Sequence, residues 1–468
     1  MTGRTFVERE NAPAMGVREL LEAFRTGALD PLQATQDCLD RIGSRDPQIG
    51  AFVWVDTAGA LTAAAERSRQ LHEGTSIGPL HGLPIAVKEL IDVAGAPSEY
   101  SSQARLGERA REDAAVVQLL RRAGAVVVGT TRSHEFGWGI STQHATRGGT
   151  RNPSAPDRVP GGSSGGAAAA VASAMVPACV ATDTGGSIRI PSAFCGVAGI
   201  KPTFGTVPRD GVVPLAPSLD TIGVIARQVD DLWPLLAVMQ GRNDHEAAVP
   251  PPPTRDMRGQ TVGFAPALVG VHADASRLAL YQAALAACRS CGARLVEVTT
   301  PTDEEFRAVF TVVQGFEAVH THRQTLGLYP ELRDQYGPDI AGRLDAAAAI
   351  TEPQYHAALG QARVLAGRLA EALADVDGLL TPVALVAPPL LGTPDAVTVN
   401  GVSVPARDAI MGFTVPQNVA GLPTVTIRAG HAPDGLPFGL QVTGSRGADQ
   451  DLLSLGALIE RIVARALH

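Results

Sequence analysis

Cysteine is scarce: five in 468 residues cannot build a disulfide framework, and an odd count fits a reducing compartment. Positive charge is not in excess either. With 39 Lys and Arg against 47 Asp and Glu, the formal net charge is −8, and no basic stripe exists to track a phosphate backbone, so a nucleic-acid partner is not expected. Long apolar runs are missing as well. The least polar stretches, Ala167 to Ala181 and Leu379 to Leu391, are too short or too broken by proline to span a bilayer, so no membrane partner is expected. The first residues, MTGRTFVERENAP, carry charges throughout and lack an apolar centre, so they do not read as a secretory leader and a cytoplasmic location is the simplest expectation. The 11 histidines, among them His81, His134, His144 and His320, show no HExxH or other ligand spacing, so neither a metal nor a cofactor is expected.

What is present is an apolar fraction of 45% with 18% charged residues, ordinary for a packed globular chain. Helical periodicity predicts two opening helices between Val17 and Ile42, split by a turn at Gly27 to Asp30. A strand follows at Ala51 to Val55, then an alanine-rich helix at Ala58 to Leu71. The short apolar run Ile85 to Val87 reads as a strand ending at Lys88, and Ala114 to Arg122 followed by Ala125 to Gly129 as helix then buried strand. Helices alternating with short buried strands imply an α/β layered fold. Near the C-terminus, Thr424 to Ile427 and Phe438 to Val442 read as strands and Asp451 to Leu467 as a closing helix. Between about Asp230 and Asp377 helices dominate and carry many of the aromatic residues, a region suited to a lid or substrate wall. Cys288 and Cys291 form a CxxC, but at the end of a helical pattern, whereas redox motifs open a helix; they read as structural thiols.

Gly161 to Gly166, GGSSGG, is the most unusual local sequence. It admits a flexible linker, a phosphate cradle at a helix N-terminus, or a nucleophile elbow centred on Ser164. Against these, a helix follows directly, no GKS or GKT is present, and the prolines of RNPSAPDRVP argue against a preceding central strand. A fourth reading joins the loop to Asp183 to Ser187, DTGGS, where two glycines before a serine leave backbone N–H groups free to form an oxyanion hole. Ser187 then needs a base, and with no histidine favoured by spacing the candidate is Lys88, whose burial would lower its pKa. A lysine that ends a strand is ordinarily a surface residue, so the weight rests on the combination.

That combination resembles the amidase signature family: GLPIAVKEL with Lys88, then GGSSGG, then DTGGSIRIPSAFCGVAGIKPTFG from Asp183 to Gly205. The likeness is strongest over 78–223, the expected catalytic core, and looser toward Gln417 to Gly444. It implies a single domain over 1–468, an α/β/α sandwich around a large mixed sheet, with 230–377 as a variable helical wall. It further implies a triad of Ser187, Ser163 in a cis peptide, and Lys88, with the oxyanion held by the amides of Thr184, Gly185, Gly186 and Ser187. Phe136, Gly137, Trp138 and Gly139, with the aromatic residues after Phe316, are candidates to contact the substrate. Asp183 and Arg189 are expected to brace the loop as an ion pair, and Cys195 to be structural. Glu89-Leu90 departs from the Asp-Asn that many relatives carry, which leaves the subfamily open. The implied activity is hydrolysis of small amides, with aryl amides or carbamates (urethanes) as candidate substrates and no cofactor. The alternative is the glutaminase subunit of a tRNA-dependent amidotransferase, which needs partner chains. A non-enzymatic binding module for a phosphorylated ligand is the third class. Oligomeric state stays open, a homodimer being one option.

Overall fold

The computed structural model describes residues 15–75, 78–242, 256–269 and 272–467. The opening segment read for a leader, and parts of the region after Asp230, lie outside the described residues. The strands in chain order are β1 (Phe52–Val55), β2 (Pro84–Lys88), β3 (Val126–Thr131), β4 (Gln143–His144), β5 (Gly148–Gly149), β6 (Ala178–Asp183), β7 (Ala198–Lys201) and β8 (Thr221–Ala226). They continue with β9 (Thr261–Phe264), β10 (Arg294–Glu297), β11 (Gly378–Pro382), β12 (Ala396–Val399), β13 (Val402–Pro405), β14 (Thr424–His431) and β15 (Pro437–Thr443).

Two opening helices, α1 (Val17–Arg25) and α2 (Pro31–Ile49), flank the turn read from ALDP. Asp30 caps α2 by accepting from the Leu32 amide at 2.9 Å, with Pro31 at the first helical position. Next come α3 (Thr57–His72), α4 (Ala115–Arg122), α5 (Gly165–Ala172), α6 (Arg189–Cys195), α7 (Trp233–Met239) and α8 (Ala275–Ser290). The remainder are α9 (Asp303–His320), α10 (Pro338–Ala347), α11 (Glu352–Ala372), α12 (Ala406–Met411), α13 (Val415–Val419) and α14 (Asp449–Ala466). Cys288 is buried near the end of α8 and both CxxC thiols are free.

Eleven strands join in one mixed sheet, ordered β1-β3-β2-β6-β8-β7-β14-β15-β11-β9-β10. β2 lies parallel to both β3 and β6, and every residue of these three strands is buried, as parallel strands covered on both faces require. Along β2 the faces alternate. Ile85 and Val87 pack with α1, α4 and α7 in the largest apolar cluster, whereas Ala86 packs with α2, α3 and α5 on the other. Lys88, two residues beyond Ala86, therefore points to the α5 side. α5 lies close to the sheet because its inner residues are Ala167 to Ala170 and Val171, each without exposed surface. Toward the β11 end, α9 and α11 build a separate cluster around Phe306, Phe310, Leu365 and Leu369. These layers make the fold an α/β sandwich around a mixed sheet.

Candidate active site

Lys88 has no solvent exposure. Its Nζ lies 2.8 Å from Ser163 Oγ, 2.9 Å from Ser164 Oγ and 2.8 Å from Thr182 Oγ1. Burial pulls the ammonium down to about 7, against the opposing pull of the Asp183, Glu89 and Asp220 charges. Two elements deliver this arrangement. β2 carries the lysine and the parallel β6 carries Thr182, paired so that Val87 faces Val180 and the two C-terminal ends lie side by side, the usual place for a site in such a sheet. The serines arrive from the loop that opens α5, where the Gly162–Ser163 peptide is cis. Ser164 Oγ donates to the Thr182 carbonyl at 3.1 Å, and the Ser163 carbonyl accepts from the His134 amide at 3.0 Å.

The Asp183 to Ser187 turn is held from inside. Asp183 and Arg189, both without exposed surface, pair through two contacts of 3.1 Å, so their ion pair is a core feature, and the guanidinium holds the Asp183 carboxyl well below the usual range. Arg189 also reaches the Thr414 carbonyl at 2.8 Å and Gln417 Oε1 at 3.0 Å. Asp183 accepts from the Gly186 amide at 2.9 Å and the Ile188 amide at 3.0 Å. Of the four amides expected to face an oxyanion, Gly186's is thus engaged, while those of Thr184, Gly185 and Ser187 have no acceptor among the described residues. Ser187 is 8% exposed; its carbonyl accepts from the Ser164 amide at 3.2 Å, which ties the two loops together. Its hydroxyl makes no hydrogen bond among the described residues. The structure therefore brings Lys88 and Ser163 into direct contact and leaves the Ser187 hydroxyl unengaged beside them.

The substrate-contact candidates divide. Gly137 comes to the site: a Cβ there would sit 3.5 Å from Ser163 Oγ. Phe136 and Trp138 are buried in an aromatic cluster with Tyr100, Tyr336 and His322, where the Phe136 ring meets His322 at 4.5 Å and Trp138 Nε1 donates to Gln314 at 2.9 Å. At Gly139 a Cβ would strike the His134 ring at 2.2 Å. Phe316 stacks on Tyr355 at 4.3 Å between α9 and α11. Cys195 is buried, its Sγ 3.4 Å from the Pro160 carbonyl, and burial pushes its thiol up. Glu89 is a buried strut that accepts from the Ser101 and Ser133 amides at 3.0 and 2.7 Å. Sequence reasoning missed Thr182 and Asp220. Asp220 accepts from Thr184 Oγ1 at 2.6 Å and is pushed up to about 6 by burial; only strand pairing, invisible in the sequence, places either near Lys88.

Among the described residues no helix is long and apolar enough to cross a membrane. The family model described as Amidase matches residues 33–453. Among curated proteins, the chain is 32% identical to a glutamyl-tRNA(Gln) amidotransferase subunit from Salinispora tropica, over 95% of this chain and 96% of the relative. Identity to the same-named protein of Chloroflexus aurantiacus is 33%, over 94% and 95%. Among solved structures, one described as an amidase superposes with TM-score 0.88 at 32% identity, covering 97% of this chain and 100% of that one. A peptide amidase from Stenotrophomonas maltophilia gives 0.80 at 30% identity, over 97% and 98%. With a model matching most of its length and relatives above 30% identity, the chain belongs to the amidase signature family, enzymes acting on amide C–N bonds.

Proposed function

We propose that this chain hydrolyses small amides through an acyl-enzyme on Ser187, with Lys88 as base and Ser163 carrying the proton between them. The observation that supports it most is the buried Lys88 amine, held at about 7 and 2.8 Å from Ser163 Oγ. Neutral Lys88 takes the Ser163 proton as Ser163 takes that of Ser187, and Ser187 Oγ bonds to the acyl carbon. The carbonyl electron pair moves onto oxygen, facing the free amides of Thr184, Gly185 and Ser187. The Lys88 ammonium returns its proton through Ser163 to the nitrogen, the C–N bond breaks, and water clears the acyl group by the same relay. Carbamates fit this scheme with loss of carbon dioxide after the acyl transfer.

A second reading, a glutaminase chain supplying ammonia to an amidotransferase, is favoured by the names of the curated relatives. The fold's high similarity to a structure described simply as an amidase favours the free-standing enzyme. Incubating the isolated chain with acetanilide, a carbamate and glutamine separates the two. Turnover of acetanilide or the carbamate without a partner supports the first. Ammonia release from glutamine only after a co-purifying partner is added would replace it with the second.

A further inference from the structure

A cavity of about 490 Å³ opens beside Thr182 and Thr184, within the range of roughly 300–1,000 Å³ typical of small-molecule sites. Leu90, Val207, Val213, Leu215 and Ile222 give it apolar walls. The charged groups at its inner wall are engaged elsewhere. Arg209 donates to the Pro217 and Asp220 carbonyls and stacks over Phe204 at 4.9 Å. Asp220 accepts from Thr184 Oγ1 and from the Leu215 and Ala216 amides at 2.9 and 3.0 Å. Asp210 lies at the exposed rim. One polar atom of the wall is left over: Thr221 Oγ1 is buried and has no partner.

The cavity's place along the proton relay decides which half of a substrate it receives. Thr182 belongs to both, lining the cavity while its Oγ1 accepts from Lys88 Nζ. Gly137 lines it too, next to Ser163 Oγ. It therefore abuts the Lys88–Ser163 end of the relay, where the departing nitrogen is protonated. On the other side of the turn, a Cβ at Gly185 would meet Phe310 at 2.6 Å and Met411 at 2.9 Å, so a different wall faces the acyl side.

We infer that this cavity binds the substituent on the leaving nitrogen, and that the amine it takes is compact, apolar and uncharged, such as an aryl amine. Val213 and Leu215 set its size, and the Thr221 hydroxyl offers one hydrogen bond to a polar atom of that substituent. The inference rests on the acyl-enzyme reading of Ser187 and adds which half of the amide lies here.

The test uses the full chain, with aniline as the probe and a fluorophosphonate as the label. Aniline protects Ser187 from labelling in the wild type, and Val213→Trp, which fills the cavity from a half-buried wall position, abolishes that protection. In turnover, Val213→Trp lowers the ratio of kcat/KM for acetanilide over acetamide roughly tenfold or more, while the ratio for butyramide over acetamide holds. Thr221→Val, which removes the hydroxyl and little volume, lowers the preference for the best hydroxyacetanilide over acetanilide. Protection and ratios unmoved by Val213→Trp, or a change that follows the acyl chain instead, overturn the inference while Ser187 labelling stands. No labelling of Ser187 in the wild type overturns the acyl-enzyme reading itself.

Discussion

Lys88 Nζ has three oxygen neighbours, and their protons say which way the relay runs. A neutral amine donates two hydrogen bonds and accepts one, whereas an ammonium donates three. Ser164 spends its hydroxyl proton on the Thr182 carbonyl, so it only accepts from Nζ, leaving Ser163 or Thr182 to donate into the lone pair. Ser163, beside Ser187's loop, is the one that can refill its proton. Because the amine is held near 7 by burial, the ammonium predominates below that pH and cannot accept. The kcat/KM for a neutral amide is expected to rise with pH through about 7 and then level; a profile flat from acid to alkaline pH counts against a lysine base. Thr182→Val removes an acceptor that matters more to the ammonium than to the amine. The differential is about 1 kcal/mol, so the midpoint of the same profile moves down by somewhat under one pH unit. Lys88, Ser163 and Ser187 were legible because each sits in a glycine- or strand-flanked motif. Thr182 was not, since a threonine inside a strand has no local signature until its neighbour across the sheet is known.

At the scale of elements, the turn between β6 and α6 is fixed by the buried Asp183–Arg189 pair, which also grips the segment around α13 through Thr414 and Gln417. Arg189→Ala leaves a buried carboxylate unpaired and is expected to destabilise the chain by about 3–5 kcal/mol, read as a lower denaturant midpoint. An unchanged midpoint means the turn is held by other contacts. The loop before α5 is equally constrained from outside. A Cβ at Gly162 would lie 2.7 Å from the Ile140 carbonyl carbon and 2.8 Å from the Ser141 nitrogen, backbone atoms that cannot swing aside. Gly162→Ala is therefore expected to displace Ser163 and cut turnover at least about 100-fold, checked by kcat on acetanilide. The helix and strand positions followed from periodicity and capping residues such as Asp30, with boundaries off by a residue or two. Which way a side chain faces did not follow. Phe136 and Trp138 flank Gly137, yet the two rings turn into the cluster with Tyr336 and Gln314 and only the glycine meets Ser163. An alternation of large and small residues in a loop carries no periodicity to reveal that.

For the whole molecule, one sheet runs from β1 to β10 and joins the motif-bearing strands to the C-terminal β14–β15 hairpin. The hairpin leans on α14, whose Leu452, Leu458, Ile459 and Val463 enter the same apolar cluster as Val425 and Ile427. Removing residues 449–466 uncovers that face, and the shortened chain is expected to lose its cooperative thermal transition; a retained sharp transition would show that the sheet stands without the helix. The mixed sheet's strand order, with β14 inserted beside β7, was beyond the sequence because the pairing joins residues over 200 positions apart. The most direct measurement of the central claim is to quench the chain during turnover of acetanilide and map the acetyl group by peptide mass. The account predicts acetylation of the peptide carrying Ser187, lost in Ser187→Ala together with turnover. Acetyl found on Ser164 or Cys195, or full turnover in Ser187→Ala, would contradict it.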